Sequence, residues 1–579
     1  MDSEIIIGID LGTTNSEVAL YRQGRPEVLA DETGRKILPS FVGVAENGEL
    51  LVGEAARNQY AAFPERTVKS VKRRMGSPEK VTMAGEGYLP QEISALILKR
   101  LKRIAETRLG EPVKKAVITV PAYFNDAQRQ ATREAGEIAG LEVVRMINEP
   151  TAAALVYEAG HLEGKRLLVY DLGGGTFDVS VVRIEEGVVE VISSHGNNHL
   201  GGDDFDQKIV EHLLRHLKEN QVDAETSPRA MARLLRAAES AKCALSDHPF
   251  VRIEEEYLLE RKGLPVHLSL ELSREEYEEM IAPYIEETLA AVHIALQGAG
   301  LTASDVESIL LVGGATRTPL VARRLEEAFG LRPRGEVDPE LCVAMGASIQ
   351  AAAIQGQEVS AVLVDITPYT FGVSAFGELD GLPYPYLFCP VIPKNSPIPI
   401  HKSEIFFTMN DNQEMVEVKI FQGEHRDALA NRLIGEFRIE GLSRAPADNP
   451  VLLRMDLDRD GILHVTATEK KSGLSRKVSI GNALRKLDEA ELQQARKRLG
   501  DLMGGEEPSE GEAQRHPEVV QARALVEKAQ RMLEQAEEED RLEMIDLIEA
   551  IRDALAAEDY PALAQPCGQL SEILFYLEA

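Results

Sequence analysis

Two stretches of this chain repeat one pattern: an apolar strand, an Asp, a Gly-rich turn with Thr, and a second apolar strand. Residues 5–18 read IIIGIDLGTTNSEV, and residues 167–181 read LLVYDLGGGTFDVSV. Gly lets backbone N–H groups approach an anion closely, and the acids Asp10 and Asp171 can hold Mg²⁺ through water. Two such hairpins facing each other would clamp one nucleotide between two related lobes. The pattern is not a P-loop, because the Gly-Lys pair at 164–165 lacks the required spacing and the following Ser or Thr.

The length and charge of the chain limit the remaining possibilities. With 579 residues, 44 % of them hydrophobic, the chain predicts three or four domains. A net charge of −31 disfavours nonspecific binding to nucleic acid or to anionic membranes. The start MDSEIIIGID lacks the features of a signal peptide, and no apolar run reaches ~18 residues, so we expect a cytoplasmic protein. The scattered cysteines fit a reducing compartment and predict neither a disulfide framework nor a zinc site.

The first part of the chain alternates strand-like and helix-like segments. Apolar runs such as KAVITV (115–120) and SILLVGG (308–314) predict strands. Such alternation favours an α/β domain with parallel strands over residues 1 to 356. Helical periodicity predicts helices over 92–108, 126–139, 205–219, 228–245 and 274–297.

The pattern changes after a short apolar linker at 357–366, QEVSAVLVDI. Residues 367–484 carry short alternating runs separated by Gly, Pro, Asn and Asp, which is typical of an antiparallel β-sandwich. Here DLDRDG (456–461) resembles the start of a calcium loop, but Ala467 replaces the bidentate Glu, so we predict a turn. From 485 to 579 the chain is charged and helical, and GGEEPSEGEAQ (504–514) predicts a hinge.

The stretch VITVPAYFNDAQRQATREAGEIAGLEVVRMINEPTAAAL (117–155) points to a family. Together with the two hairpins and LVGGATRTPLV (311–321), it closely resembles the 70-kilodalton heat-shock chaperones, the DnaK-like family. The resemblance implies four parts in order: an actin-like ATPase domain with duplicated ribonuclease H-like lobes (1–356), a linker (357–366), a β-sandwich peptide-binding domain (367–484) and a helical lid (485–579). A short connection at 76–90 and a reduced lid resemble the short-lidded HscC-type branch.

The resemblance places ATP hydrolysis at the two hairpins. Lys72 in SVKRRMG matches the lysine that contacts the γ-phosphate and the attacking water, and Glu149 in INEPTAA matches the acid that orients this water. Phosphoryl transfer needs cations on the phosphates and dry positioning more than covalent chemistry. The implied catalytic residues are Lys72, Glu149, Asp171, Thr176 and Asp10. The implied phosphate-side residues are Gly12, Thr13, Thr14, Asn15, Gly173, Gly174, Gly175 and Asp178. The implied cofactors are ATP/ADP and Mg²⁺, which Asp10 and Asp171 would hold through water, with K⁺ as a further candidate cation.

Three further segments resemble the part of the family's site that holds adenosine. LGGDDFD contributes Gly201 and Gly202, and ESAKCALS contributes Glu239, Lys242 and Ser246 on one helix face. GGATRTP contributes Gly313, Gly314 and Arg317, and Asp338 follows in VDPE. A plain surface ion pair remains the alternative interpretation of Glu239 and Lys242.

The resemblance also implies a groove in the sandwich that holds an extended apolar peptide. The matching positions are Val373, Ala375, Phe376, Phe407, Met409, Gln413, Val416 and Val418. Val416 would line a pocket for Leu-like side chains, while Phe376 and Met409 would form an arch where DnaK has Met and Ala. Each apolar residue could instead belong to the sandwich core. The segment at 377–395, GELDGLPYPYLFCPVIPKN, is longer than in DnaK and predicts an added contact surface.

Coupling between the domains is implied by the same resemblance. ATP binding would dock the linker and loosen the groove, and hydrolysis would release the linker and tighten the groove. Pro121 and Arg129 match relay positions of the family. Arg145, Asn148 and Thr151, with Asp365 of the linker, would face a J-domain co-chaperone. Unfolded client segments and a nucleotide-exchange factor are the other implied partners. The linker run VLV is less leucine-rich than the family's, and Ser360 or Ala361 stands where an acid usually precedes it.

Three rival functions remain open at this point. A nucleotide-switched regulator of one dedicated client would bind very few segments on a peptide array, whereas a general chaperone would bind many. A small-molecule kinase would phosphorylate a sugar or an acid between the lobes, but it leaves the sandwich and lid unexplained. A filament-forming actin relative would polymerise with ATP, which the strong net charge disfavours.

Overall fold

The computed structural model describes most of the chain and divides it into two compact units. The described residues are 4–158, 165–185, 187–262, 264–335, 337–359, 361–480, 489–502, 522, 526, 529, 538–556, 560–563, 565–570 and 573. The units are Met1–Leu499 and Gly500–Ala579. The predicted boundary at 484, the hinge at 504–514 and the linker residue Ser360 lie outside the described residues.

The helices and strands follow one another in the order that the sequence predicts. The described helices are α1 (Glu54–Tyr60), α2 (Pro90–Leu109), α3 (Asp126–Ile138), α4 (Glu149–Glu158), α5 (Gly202–Glu219), α6 (Pro228–Asp247), α7 (Arg274–Gly298), α8 (Pro319–Phe329), α9 (Cys342–Ile354), α10 (Glu489–Leu502) and α11 (Glu538–Ala556). The described strands are β1 (Ile6–Asp10), β2 (Asn15–Arg22), β3 (Arg25–Val28), β4 (Leu38–Pro39), β5 (Val42–Val44), β6 (Leu50–Val52), β7 (Thr67–Val68), β8 (Val81–Met83), β9 (Glu86–Tyr88), β10 (Lys115–Val120), β11 (Glu142–Asn148), β12 (Arg166–Leu172), β13 (Phe177–Glu185), β14 (Val188–Asn197), β15 (Phe250–Arg261), β16 (Leu264–Ser273), β17 (Ser308–Val312), β18 (Val362–Ile366), β19 (Phe371–Leu379), β20 (Leu382–Ile392), β21 (Pro397–Ile398), β22 (Ile400–Phe407), β23 (Met415–Gln422), β24 (Arg432–Glu440), β25 (Pro450–Leu457), β26 (Leu463–Glu469) and β27 (Ser475–Ile480).

Two mixed sheets form the lobes of the first part of the chain. One sheet has the order β11-β10-β1-β2-β3, and the other has the order β17-β12-β13-β14-β18-β21. Strands β1, β10 and β11 run parallel, as predicted, but the glycine hairpins β1–β2 and β12–β13 are antiparallel. The expectation of parallel strands therefore holds only in part, because a short glycine turn can join only antiparallel neighbours.

Helices α4 and α9 pack closely between the two sheets. A Cβ atom on Gly346 of α9 would lie 1.8 Å from the carbonyl oxygen of Ala152 in α4. Ala152, Ala153, Ala347 and Ala351 belong to one buried core with the apolar side chains of β12 and β13. Small residues on both helices bring the ends of β1 and β12, and hence the two glycine turns, close together.

Residues after the linker form the predicted sandwich of two antiparallel four-stranded sheets. The sheets have the orders β20-β19-β23-β24 and β22-β25-β26-β27. Their inner faces enclose a core that includes Val373, Val418, Leu453 and Val465. Turn 458–461 connects β25 to β26, and Asp458 Oδ1 accepts the N–H of Asp460 and of Ile462, at 2.9 Å each. The interpretation of DLDRDG as a turn is therefore confirmed.

The C-terminal unit is helical in the part of it that the structure describes. Met544, Ile548 and Ile551 of α11 share a buried core with Leu563 and Leu570. Within the described residues, no helix combines the length and the apolar composition that a membrane crossing requires.

Candidate functional site

The glycine turns of the two lobes meet face to face. A Cβ atom on Gly174 would lie 1.8 Å from Thr14 Oγ1, and one on Gly175 would lie 2.5 Å from Thr13 Cγ2. The amide of Asp203, at the start of α5, donates to the carbonyl of Gly174 at 2.7 Å. The sequence predicted this facing arrangement. Turns without side chains leave backbone N–H groups accessible, which suits the phosphate groups of a nucleotide.

A buried lysine lies among carboxylates directly beside these turns. Lys72 Nζ lies 2.5 Å from Glu149 Oε1, and both side chains are almost completely buried. Burial alone would lower the Lys72 pKa, but the charges of Glu149 and Asp10 raise it above its ordinary value. The lysine is therefore a permanent cation in the site. Lys72, Glu149, Asp10 and Asp171 are thus brought together, as the sequence predicted.

Two of the carboxylates retain protons unusually strongly. Burial and the charge of Glu149 together raise the pKa of Asp10 to about 7, although Lys72 and a 2.9 Å hydrogen bond from Thr119 Oγ1 oppose this shift. Burial, Glu149 and Asp178 raise the pKa of Asp171 well above its ordinary value. One lysine cannot neutralise this many acids, so the pocket suits an additional cation.

The donor set fits a hydrated magnesium ion better than a fully ligated metal. Among the described residues, no three His, Cys, Asp or Glu side chains are grouped as direct metal ligands. Asp10 and Asp171 nevertheless stand at the ends of β1 and β12, on either side of the glycine turns. Carboxylates arranged in this way can hold Mg²⁺ through its water ligands.

Asp178 was predicted to contact the nucleotide, but its carboxylate accepts hydrogen bonds from backbone amides. Its carboxylate accepts the N–H of Ala122 at 3.0 Å and that of Tyr123 at 3.2 Å. These amides directly follow Pro121, one of the predicted relay residues. Asp178 therefore joins the second glycine hairpin to the segment after β10, which is a positioning contact. Burial and Glu149 raise its pKa well above the ordinary value.

The predicted adenosine side comes together around the start of α5. Lys242 Nζ lies 2.8 Å from Asp206 Oδ1 and donates to the carbonyl of Gly202 at 3.2 Å. Glu239 pairs instead with Arg57 of the opposite lobe at 3.1 Å. Ser246 contributes a backbone carbonyl that accepts from Arg274 at 3.3 Å. Helix α6 therefore faces the cleft at Lys242 and Glu239, and these residues are not an isolated surface pair.

Arg317 and Asp338 also meet at this end of the cleft. Arg317 Nη2 lies 2.7 Å from Asp338 Oδ1, and its Nε lies 3.3 Å from Glu340 Oε2. Gly313 has a φ of 82° and donates its N–H to the carbonyl of Pro339 at 2.8 Å. The left-handed conformation explains the glycine at this position.

Sequence reasoning missed several residues that complete the cleft. Asp203 accepts from Ser70 Oγ at 2.7 Å, Asp206 pairs with Lys242, and Glu340 accepts from the predicted Asn15 at 3.2 Å. The quoted motif LGGDDFD already contains both aspartates, but only its glycines were selected. No sequence motif indicated Arg57, because its partner Glu239 is 182 residues away in the chain.

The linker strand joins the second lobe to the sandwich. β18 pairs in parallel with β14 through Val188–Val362 and Glu190–Val364, and antiparallel with β21 through Asp365–Ile398. The linker is thus a strand of the second lobe's sheet, and β21, which follows β20 in the chain, pairs with its outer edge. Docking of the linker on the first part of the chain is the arrangement that the resemblance predicts for the ATP-bound form.

Asp365 of the linker is buried beneath the relay residues. Its Oδ2 accepts from Asn148 Nδ2 at 2.7 Å and from Thr151 Oγ1 at 3.3 Å. Arg129 Nη2 in turn donates to Asn148 Oδ1 at 2.6 Å. Four predicted coupling residues therefore form one hydrogen-bonded network from α3 to the linker. Their predicted contact with a J-domain partner stays a prediction.

A turn of the sandwich contacts the same relay from the other side. Asp460 pairs with Arg133, lies 3.7 Å from Arg145 Nε, and accepts the N–H of Met146 at 2.9 Å. Tyr369 Oη donates to the carbonyl of Tyr123 at 2.7 Å, and the two rings are 4.7 Å apart. Arg145 was predicted as a coupling residue, whereas Asp460 lies in the turn that was assigned no role.

The first helix after the sandwich also contacts the ATPase part. Arg498 of α10 pairs with Glu92 and lies over the Tyr88 ring at 4.6 Å from its centre. Arg496 donates to the carbonyl of Glu137 at 2.9 Å. Helix α10 is therefore fixed to α2 and α3, away from the strands predicted to bind peptide.

The predicted peptide positions divide into exposed and buried members. Phe376, Phe407 and Met409 are exposed, and so is Met415 beside them. Val373 and Val418 are buried in the sandwich core, while Val416 is half-buried against it. Gln413 accepts the N–H of Met409 at 3.1 Å and donates to the carbonyl of Met415 at 2.9 Å. Large exposed apolar side chains grouped along one region mark an interaction surface.

Comparison with known proteins agrees with this architecture. The family described as "Hsp70 protein" matches residues 6–83 and 78–573. The chain belongs to the Hsp70 family. It is 43 % identical to "Chaperone protein DnaK" of Thermotoga petrophila over 96 % of this chain and 94 % of the relative. It is equally identical to the Thermosipho africanus protein of that name, over 97 % of this chain and 94 % of the relative. For this Hsp70 chain, family membership fits the paired glycine turns and the sandwich behind them.

Proposed function

We propose that this Hsp70 chain is an ATP-dependent molecular chaperone that binds and releases extended apolar segments of unfolded proteins. The observation that carries the proposal is the connection from the nucleotide cleft to the sandwich. Asp178 joins the second glycine hairpin to the Pro121 segment, and Arg129, Asn148 and Asp365 continue this contact to the linker. A catalytic cleft linked in this way to an exposed apolar groove supports an ATP-driven cycle of peptide binding.

Hydrolysis requires a positioned water and neutralised phosphate charge. Lys72 provides a buried positive charge beside the phosphate turns, and Glu149 holds its ammonium group at 2.5 Å. Glu149 and Asp171 can accept hydrogen bonds from the attacking water and so orient it. Mg²⁺, when bound, neutralises phosphate charge and orients the phosphate oxygens. Thr13, Thr14 and the facing glycines exclude bulky groups and leave backbone donors for the phosphates.

The docked arrangement corresponds to the state that exchanges peptide quickly. The linker strand pairs with β14, Asp460 contacts the relay, and α10 is fixed to the ATPase part. Phe376, Phe407 and Met409 are exposed in this arrangement. Hydrolysis would release these contacts and allow the groove to close on a client.

A peptide-release experiment tests this function directly. A fluorescent Leu-rich peptide should dissociate at least about tenfold faster with ATP than without it. Val416→Phe should weaken binding, because the half-buried Val416 would line the central pocket. Leu433→Phe, on the neighbouring strand β24, is the matched control and should bind normally. If no peptide from a broad apolar library binds the native chain, the general chaperone function is wrong.

The finer assignments belong to the same proposal. A J-domain co-chaperone and a nucleotide-exchange factor are the expected partners, and Arg145, Asn148 and Thr151 are the expected J-domain contacts. Cytoplasmic location is supported by four unpaired cysteines. Membership of the short-lidded HscC-type branch would be supported if the chain failed to replace a general DnaK in heat-stressed cells. No feature of the described residues favours the dedicated regulator over the general chaperone.

A further inference from the structure

The long segment after Phe376 forms a β-hairpin that extends beyond the predicted groove. Strands β19 and β20 remain paired up to Leu379 and Leu382, and Asp380 and Gly381 form the turn. Their φ values of 53° and 82° match a two-residue turn with both residues left-handed, for which Asp-Gly is favoured. We call residues 376–386 the extended hairpin.

The extended hairpin is held against the sandwich by specific contacts. Tyr384 Oη donates to Asp427 Oδ1 at 2.8 Å, and the Tyr384 ring meets the Tyr386 ring edge-on at 6.0 Å. Just below the hairpin, Phe388 donates its N–H to the carbonyl of Arg426 at 2.8 Å. A Cβ on Gly377 would lie 2.5 Å from Leu387 Cδ2, so Leu387 packs directly across this glycine. These contacts fix the position of the hairpin relative to the groove.

Three large apolar side chains of the extended hairpin nevertheless face solvent. Leu382 is 70 % exposed, Phe376 is 55 % exposed and Tyr386 is 37 % exposed. A fixed backbone that presents uncovered apolar side chains loses little entropy when it binds a partner. The extended hairpin therefore has the properties of a preformed contact surface.

The prolines of β20 show how this surface can be used. In a two-residue hairpin, Leu379 and Leu382 form the hydrogen-bonded pair that closes the turn, so the amide position of residue 383 points away from β19. Pro383 fills this outward position, and Pro385 follows two residues later. Proline has no N–H group, so the free edge cannot pair with an added strand, including that of a second copy. Recognition must then rely on side chains.

The position of the extended hairpin indicates its occupant. Phe376 belongs both to the predicted arch over the peptide and to the hairpin. Residues 385 and 386 together oppose Phe376 in the irregular pairing between Gly377–Tyr384 and Ala375–Leu387, so Tyr386 shares a face with Phe376 and continues its apolar surface. The hairpin extends three residue steps from Phe376 to Leu379, ~10 Å, which is the length of about three residues of an extended client. Leu382 pairs with Leu379 and therefore lies on the opposite face. We propose that the extended hairpin is a second apolar subsite, for client residues that flank the segment in the groove. This inference rests on the proposed chaperone function.

Peptide length provides the test. A short fluorescent peptide centred on Leu is compared with versions extended at either end by about four residues, either apolar or made of Gly and Ser. The native full-length chain should bind the peptide with an apolar extension at one of its ends about tenfold more tightly than the peptide with the Gly-Ser extension there. The reason is that two apolar side chains of the extension become buried. Tyr386→Ser should remove this gain and leave the affinity for the short peptide unchanged, whereas Leu382→Ser, on the opposite face of the same hairpin, should keep the gain.

A matched control and the contrary outcomes complete the design. Leu264→Ser changes a residue of similar exposure, 69 %, on β16 of the ATPase part, and should keep the gain. Unchanged affinity of Tyr386→Ser for the short peptide shows that this variant is folded. An undiminished gain in Tyr386→Ser, or an equal loss of the gain in Leu382→Ser, overturns the subsite. A change in oligomeric state alone, measured by sedimentation, assigns the surface to a second copy and also overturns it. Failure of the native chain to bind even the short peptide rejects the proposed function instead.

Discussion

At the scale of single residues, Lys72 is the side chain whose loss should affect ATP hydrolysis most. It is a buried cation whose Nζ atom lies 2.5 Å from Glu149 Oε1. Lys72→Ala should lower kcat for ATP hydrolysis by about 100-fold, because the charge that faces the transferring phosphate is lost. ATP should still bind within about tenfold, since the glycine turns remain. Single-turnover hydrolysis and nucleotide titration measure the two effects.

Lys36→Ala supplies the control for this prediction. Lys36 is exposed and lies in a loop between β3 and β4. Its loss should leave both hydrolysis and ATP affinity unchanged. A Lys72→Ala variant that retains more than a tenth of the native kcat would remove Lys72 from the catalytic group.

Asp126 makes docking of the sandwich sensitive to pH. Its Oδ1 accepts the N–H of Leu463 at 3.3 Å, across the contact between α3 and β26. Burial raises its pKa to about 8; the Leu463 N–H and the charges of Arg129 and Arg432 oppose this, while Asp458 adds to it. Once the sandwich moves away, the carboxyl should return towards its ordinary pKa near 4.

The sign of the effect follows from these two pKa values. Docking takes up a proton between about pH 4 and pH 8, so docking weakens as the pH rises through this window, by up to about tenfold per unit. Asp126→Asn should remove this dependence. Hydrogen exchange at the amides of 362–366, corrected for the intrinsic effect of pH, reports docking. Equal pH dependence in native and variant chains would contradict the prediction.

At the scale of elements, α10 is held to the ATPase part by two arginines. Arg498→Ala removes both an ion pair with Glu92 and a cation–π contact with Tyr88. We expect amide protection of α10 to fall with ATP bound, and ATP-stimulated peptide release to slow by about threefold to tenfold. Lys497→Ala, at the exposed neighbouring position, should behave like the native chain. Unchanged protection in Arg498→Ala would show that other contacts hold α10.

The helices and strands themselves could largely be predicted from the sequence. The helices expected at 126–139 and 274–297 are observed at Asp126–Ile138 and Arg274–Gly298. Local signals explain this success: Asn125 and Ser273 cap the two helices, and each accepts the N–H of the third helical residue. Periodicity and capping are properties of neighbouring residues and need no knowledge of the fold.

Contacts between distant elements could not be read in this way. Asp460 was interpreted as part of a turn, which is correct, yet its carboxylate contacts Arg133 and the Met146 amide more than 300 residues away. The geometry of the turn explains why Asp458 accepts backbone N–H groups. It does not predict that Asp460, in the same turn, contacts the distant Arg133 and Met146. The family resemblance supplied Lys72, Glu149 and the relay, whereas Asp206 and Arg57 required the assembled cleft.

At the scale of the whole molecule, nucleotide and peptide must influence each other equally. The coupled contacts run from the glycine hairpins through Asp365 to the sandwich. If ATP raises the peptide Kd by a given factor, peptide must raise the ATP Kd by the same factor. Lys72→Ala is suited to this measurement, because it should bind ATP without consuming it. Both factors come from fluorescence titrations with and without the second ligand.

Asp365→Ala provides the comparison for this cycle. The substitution removes the acceptor shared by Asn148 and Thr151. The factor by which ATP raises the peptide Kd and the factor by which peptide raises the ATP Kd should therefore fall together towards one. Thr33→Ala, in an exposed loop distant in sequence from the linker, should keep them. A fall in only one of the two factors would contradict linkage and indicate that the titrations are not at equilibrium.

The double pairing of the linker strand also restricts how this chain can vary in length. Along a strand, successive side chains point to opposite sides, so one inserted residue before Asp365 would turn its carboxylate away from Asn148 and Thr151. The same insertion would shift the register with either β14 or β21. Substitutions within 362–366 can be tolerated singly, but insertions and deletions break both domains' contacts at once. Natural variation in this segment should therefore consist of replacements at constant length.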